Sequence, residues 1–74
     1  MTKALVLITA EPGADREVAA RVKGVEKVYL VTGLYDVVAE VQASDDASML
    51  ALLYDKIRVI DDIRETQTML CLKV

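Results

Sequence analysis

Two strand–helix–strand units in tandem, βαββαβ, are what this 74-residue sequence predicts, an α+β domain with a four-stranded antiparallel sheet. Three observations carry that expectation. Strand-forming runs alternate with two helical stretches in the order β-α-β-β-α-β. The halves echo each other weakly: "VKGVEKVYLV" from Val22 resembles "IDDIRETQTM" from Ile60, and the two helix stops, Gly24 and Asp62, lie 38 apart (62 − 24). Lastly, the first run is apolar at both parities, as a strand in the middle of a sheet would be.

That first run is "KALVLITA", residues 3–10. "EPGADREVAARVKG" follows as a helix. Pro12 suits a first helical turn, where its missing N–H has no intrahelical partner to lose. Asp15 and Glu17 belong near the positive end of the helix dipole. Ala14, Val18 and Val22 form a stripe at i, i+4, i+8, and Glu17 can pair with Arg21 on the outer face. Gly24 is the expected stop in the left-handed region. A second strand spans 25–32 and a third 35–43. The third alternates cleanly, with Val37, Ala39 and Val41 on one face and Asp36, Val38, Glu40 and Gln42 on the other. Ser44, Asp45 and Asp46 supply a cap and acids for a second helix running to about Ile60. Leu50, Leu53, Tyr54 and Ile57 provide its apolar spacing. The last strand is "TQTMLCLKV", residues 66–74.

Two such halves assemble as the ferredoxin-like, or split βαβ, arrangement, strand order 4-1-3-2 with both helices on one face. That leaves the opposite face open and the edge strands "VYLV" and "MLCL" apolar. With 54% hydrophobic residues, the chain holds more apolar material than one small core can hide. The expectation is a homo-oligomer whose subunits pack sheet to sheet into a dimeric α/β barrel.

Composition excludes several functions. The nine Lys and Arg are scattered among twelve acids, net charge −3, so there is no basic face for nucleic acid. The apolar run near the start, Ala4 to Ile8, is too short for a signal peptide or a membrane span, and the chain reads as cytoplasmic. There is no histidine and one cysteine, Cys71, expected as a small core residue. Neither a metal site nor an activated nucleophile is legible, and no cofactor is expected.

The candidate binding residues are Thr32, Gly33, Leu34, Tyr35 and Asp36, in the turn between strands two and three. As a plain turn, Gly33 supplies the positive φ, Asp36 caps an amide and Tyr35 packs on its neighbours. As a grip, the amides of 32–35 form a concavity for a carboxylate and Asp36 takes an ammonium group. Together these would hold a free α-amino acid. Thr66 and Thr68, two apart on the last strand, share a face and offer a second polar set, with Gln67 on the other. The topology is expected to keep that strand away from the hairpin within one subunit, so the two sets would converge only across an interface.

Gly24-Val25, the hairpin Thr32-Gly33-x-Tyr35-Asp36 and the run Arg64-Glu65-Thr66-Gln67-Thr68 together resemble the effector-binding (RAM) domain of Lrp/AsnC-family transcriptional regulators. The resemblance covers essentially the whole chain. It departs at Asp61-Asp62, where the family commonly has Pro-Gly. It implies sheet-to-sheet dimers that assemble into rings, amino-acid effectors bound between dimers near the glycine hairpin, and a role in transcription regulation. Full-length members carry an N-terminal helix-turn-helix. The chain reads instead as a single domain over 1–74 without a DNA-binding domain, a stand-alone sensor or a partner of a full-length regulator. The rival readings are a purely structural oligomerisation module, an ACT-type regulatory domain, and a small dimeric α/β-barrel enzyme of the same topology.

Overall fold

The computed structural model describes all 74 residues. Its elements are β1 (Thr2–Ala10), α1 (Asp15–Arg21), β2 (Lys27–Leu30), β3 (Val37–Ala43), α2 (Asp46–Leu52), a π-helical turn continuing α2 (Leu53–Ile57), and β4 (Ile63–Cys71). The four strands form one antiparallel sheet in the order β2-β3-β1-β4, the expected order read from the other edge. β1 is central, pairing Ile8 with Val37 of β3 and with Thr66 of β4.

The core lies between the sheet and the helices. Ala4, Val6, Ile8 and Ala10 of β1 bury their side chains there, beside Val37, Ala39 and Val41 of β3. Val18 and Val22 come down from α1, and Met49, Leu53 and Ile57 from α2 and its π turn. No polar side chain is buried. The other face of β1 carries Leu5, Leu7 and Thr9, which stay half-buried within one chain because no layer covers them.

Several local expectations hold. Glu17 and Arg21 pair at 2.7 Å. Gly24 takes φ +72°, and its counterpart Asp62 takes φ +71°, the one non-glycine residue in that region. Asp tolerates this conformation better than most side chains. The Asp62 carbonyl also accepts the Glu11 N–H at 2.8 Å, tying the two turns at that end of the sheet together.

Others are corrected. Pro12 precedes the helix: Ala14 N–H donates to Glu11 O at 2.9 Å with Gly13 at φ +83°. Pro followed by a positive-φ Gly is the signature of a type II turn, and α1 starts only after it. The second helix does not run as one α-helix to Ile60. Arg58 N–H reaches back five residues to Leu53 O at 2.8 Å, the wider closure of a π turn. Leu50 and Tyr54, expected in the core, are 55% and 53% exposed. They project toward β4, against which neither helix packs substantially. The last strand starts three residues earlier than expected, and Cys71 is exposed rather than a core residue, since it sits at the end of an edge strand with no layer above it.

A site assembled by the β2–β3 loop and the start of β4

β2 pairs with β3 only from Lys27 to Leu30, so the link to β3 is six residues long, 31–36. It closes on itself through Val31 N–H donating to Asp36 O at 3.0 Å. It is then strapped to the end of β1 by two bonds. Asp36 N–H donates to Ile8 O at 2.9 Å, and Ala10 N–H donates to Asp36 Oδ2 at 2.8 Å. The Asp36 carboxylate therefore has a partner inside the chain, the turn-capping role weighed in the sequence. Its Oδ1 makes no bond.

Because the loop runs past the end of β3 and across β1, Tyr35 arrives over β4. Its hydroxyl donates to Gln67 Oε1 at 2.7 Å. This corrects the expectation that hairpin and last strand lie apart within a subunit. β3 and β4 are separated only by β1, two strand spacings or about 10 Å, and a loop leaning over β1 with a tyrosine at its tip closes that gap.

Between loop and strand lies an open cavity of about 440 Å³, lined by Thr9, Leu34, Tyr35, Glu65, Thr66 and Gln67. Leu34 is 90% exposed, an apolar side chain that no part of the chain covers. Thr32 and Gly33 are exposed and are not among the residues lining the cavity, and Gly33 takes φ +112°. A Cβ built there meets nothing within 4 Å, so glycine is required by the backbone and not by crowding. None of the backbone N–H groups of 32–35 finds an acceptor in the chain. Glu65 has no ion-pair partner.

Of the seven expected residues, Leu34, Tyr35 and Thr66 thus line one cavity, Thr32 and Gly33 lie in the same loop outside its lining, and Asp36 ties the loop to β1. Thr68 lies elsewhere. It shares a separate groove with Thr66 and Leu70 on one side and the α2 side chains on the other. Thr9, Glu65 and Gln67 were missed. The alternation of β4 puts Gln67 opposite Thr66 and Thr68, and only its pairing with Leu7 shows that it sits under the loop.

One pKa in the domain departs clearly from its ordinary value, away from this cavity. Asp45, capping α2, accepts Ser48 N–H at 2.7 Å, and that bond holds its carboxyl below the usual 3.8. No group of three or more metal-ligating side chains occurs. No helix is long and apolar enough to cross a membrane.

An uncharacterised HTH-type transcriptional regulator of Pyrococcus horikoshii is 38% identical over 74 residues, spanning 92% of this chain. The chain spans about half, 49%, of that relative's length. A crystal structure from Thermus thermophilus superposes with TM-score 0.91 at 27% identity, covering 100% of this chain and 96% of that one. A feast or famine regulatory protein of M. tuberculosis, complexed with L-methionine, superposes with TM-score 0.76 at 24% identity, covering 100% of this chain and 52% of that one. The profile of the Lrp/AsnC ligand binding domain matches residues 3–74, so the fold, the hairpin and the final strand described above are those of a member of the Lrp/AsnC ligand-binding domain family of transcription regulators.

Proposed function

We propose that the cavity between the 31–36 loop and β4 binds a free α-amino acid, and that its occupancy is read out through subunit assembly. The observation that carries this is the run of unpartnered backbone N–H groups at 32–35, in the loop that walls a cavity whose other side holds an unpaired carboxylate, Glu65. Such amides suit a carboxylate. An acid a short distance away suits the ammonium. The sequence suggested Asp36 for that second role. Since Ala10 N–H already occupies its Oδ2, we assign the ammonium to Glu65 and give Asp36 the task of holding the loop. Tyr35 and Gln67 complete the polar wall, and Leu34 contributes apolar contact. The methionine complex of the M. tuberculosis relative supports the class of ligand.

The readout rests on the uncovered face of the sheet. Leu5, Leu7 and Val38 are half-buried there, and Tyr29 and Met69 are 45% and 46% exposed. Polar groups flank this patch, with Lys3 Nζ 3.5 Å from Glu40 Oε1 and the Tyr29 hydroxyl donating to Glu40 Oε2 at 3.1 Å. A second subunit laid sheet to sheet would bury the patch and form a dimeric α/β barrel. Dimers would then close into a ring, with Leu34 of each loop against a neighbour. The same face would accept a full-length Lrp/AsnC-type regulator, which would make the chain a co-regulator with no nucleic-acid contact of its own.

Light scattering after size exclusion, with each of the twenty amino acids at millimolar concentration, tests this directly. The expected result is a change in mass or in Tm with one or a few of them, lost in Glu65→Gln. A large oligomer indifferent to all twenty would instead leave a structural oligomerisation module.

A further inference from the structure

The open groove between α2 with its π turn and the helix-facing side of β4 measures about 510 Å³. That is within the range of small-molecule sites, about 300–1,000 Å³. Val6 of β1, Leu53 of the π turn and Leu70 of β4 supply apolar lining. Arg58 and Thr66 meet at one end. The π turn delivers Arg58 there, its guanidinium carbon 4.9 Å from the centre of the Tyr54 ring. Stacking of this kind holds a guanidinium in place without neutralising it. Neither Arg58 nor Arg64, which borders the adjoining depression with Thr66, is paired with a carboxylate. The groove therefore has an apolar body and an unneutralised cationic end.

The acid lining this groove is Asp46. It stands twelve residues from Arg58 (58 − 46), about 18 Å along a helix, and already accepts the Thr2 hydroxyl at 2.9 Å. One α-amino acid cannot place its carboxylate on Arg58 and its ammonium on Asp46. We propose that this groove is a second ligand site, separate from the loop cavity, for a small carboxylate with a branched aliphatic tail and no α-ammonium group. The carboxylate sits on Arg58 and the Thr66 hydroxyl, and the tail lies between Leu53 and Leu70 over Val6.

Titration calorimetry of the intact chain with 4-methylpentanoate, and in parallel with its 2-amino counterpart leucine, tests the assignment. The expected result is binding of 4-methylpentanoate that weakens with salt. Arg58→Gln weakens it by about tenfold or more, the effect of losing one charge-assisted hydrogen bond. Leu50→Glu, at an exposed helical position on the groove rim, weakens it as well by repulsion, while Tyr35→Phe leaves it unchanged. No binding at millimolar concentration, an affinity untouched by Arg58→Gln, or competition between leucine and 4-methylpentanoate for one site would each overturn it. Circular dichroism of the Arg58→Gln and Leu50→Glu variants separates loss of the site from loss of the fold. The outcome is independent of the loop cavity: 4-methylpentanoate binding that Arg58→Gln weakens and Tyr35→Phe spares supports the groove whether or not any amino acid binds.

Discussion

β3 and β4 flank the same central strand, yet their helix-facing sides have opposite fates. On β3, Val37, Ala39 and Val41 are fully buried. On β4 the equivalent positions are Thr66, Thr68 and Leu70, and Leu70 is 60% exposed. The difference comes from the helices, which rest on β1, β2 and β3 and leave β4 as an unroofed ledge. One flank of the sheet supplies stability. The other supplies surface: the α2 groove opens onto its helix-facing side, while Glu65 and Gln67 of the loop cavity lie on the opposite face.

The largest expected effect breaks the covered flank. Ile57 is completely buried at the closing residue of the π turn. Ile57→Ala should cost about 2–5 kcal/mol, a large fraction of what a domain of this size has. Urea unfolding measures it. The matched change on the ledge, Thr68→Val, should lie within about 0.5 kcal/mol of the parent. If the two cost the same, the contrast between the flanks is wrong.

Asp36→Ala comes next. It leaves Ala10 N–H without its acceptor at a half-buried position and frees the loop from β1. The expected cost is about 1–3 kcal/mol, together with loss of amino-acid binding. A stable variant with unchanged Tm would remove Asp36 from the strap. Tyr35→Phe should do less to stability, since its bond to Gln67 is exposed to water, a few tenths to about 1 kcal/mol. Nitrogen-15 relaxation of the loop should nevertheless show greater mobility at residues 32–35.

The covered flank was legible in the sequence and the ledge was not, for a physical reason. Alternation at Val37, Ala39 and Val41 and the stripe at Val18 and Val22 are burial patterns, and burial is what they became. Gly24 and Asp62 announced their left-handed turns. "MLCL" reads as an apolar edge strand with Cys71 as a core residue, but apolarity alone does not say whether a layer lies above it, and Cys71 is exposed. The π turn leaves no mark on the i, i+4 spacing, because one extra residue in a turn only rotates the side chains C-terminal to it. Arg58, whose N–H closes the turn, lines the groove with Tyr54. The loop cavity depended on where β3 stops pairing, at Val37 with Ile8, and on a side-chain bond from Asp36. Thr66 and Tyr35 could be named from sequence, whereas the partnership of Tyr35 with Gln67 required the register of β1 with β4.

The smallest expected effect sharpens the comparison at the start of α2, the helix that roofs β3 and walls the groove beside β4. Asp45 caps it, and the bond from Ser48 N–H favours the ionised carboxylate, so the folded-state pKa lies below the unfolded one. The stabilisation is therefore present above the ordinary value of 3.8 and is lost as pH falls through the lower folded value. Asparagine caps helices about as well as aspartate but carries no proton to exchange in this range. Asp45→Asn should leave Tm near neutral pH almost unchanged and shrink its fall below about pH 5. Asp45→Ala should lower Tm by a few degrees at neutral pH, because the Ser48 N–H then loses its acceptor. An acid limb identical in the parent and Asp45→Asn would mean that the α2 end frays before the rest of the domain unfolds. The roof over β3 would then be held by Met49, Leu53 and Ile57 without help from its cap.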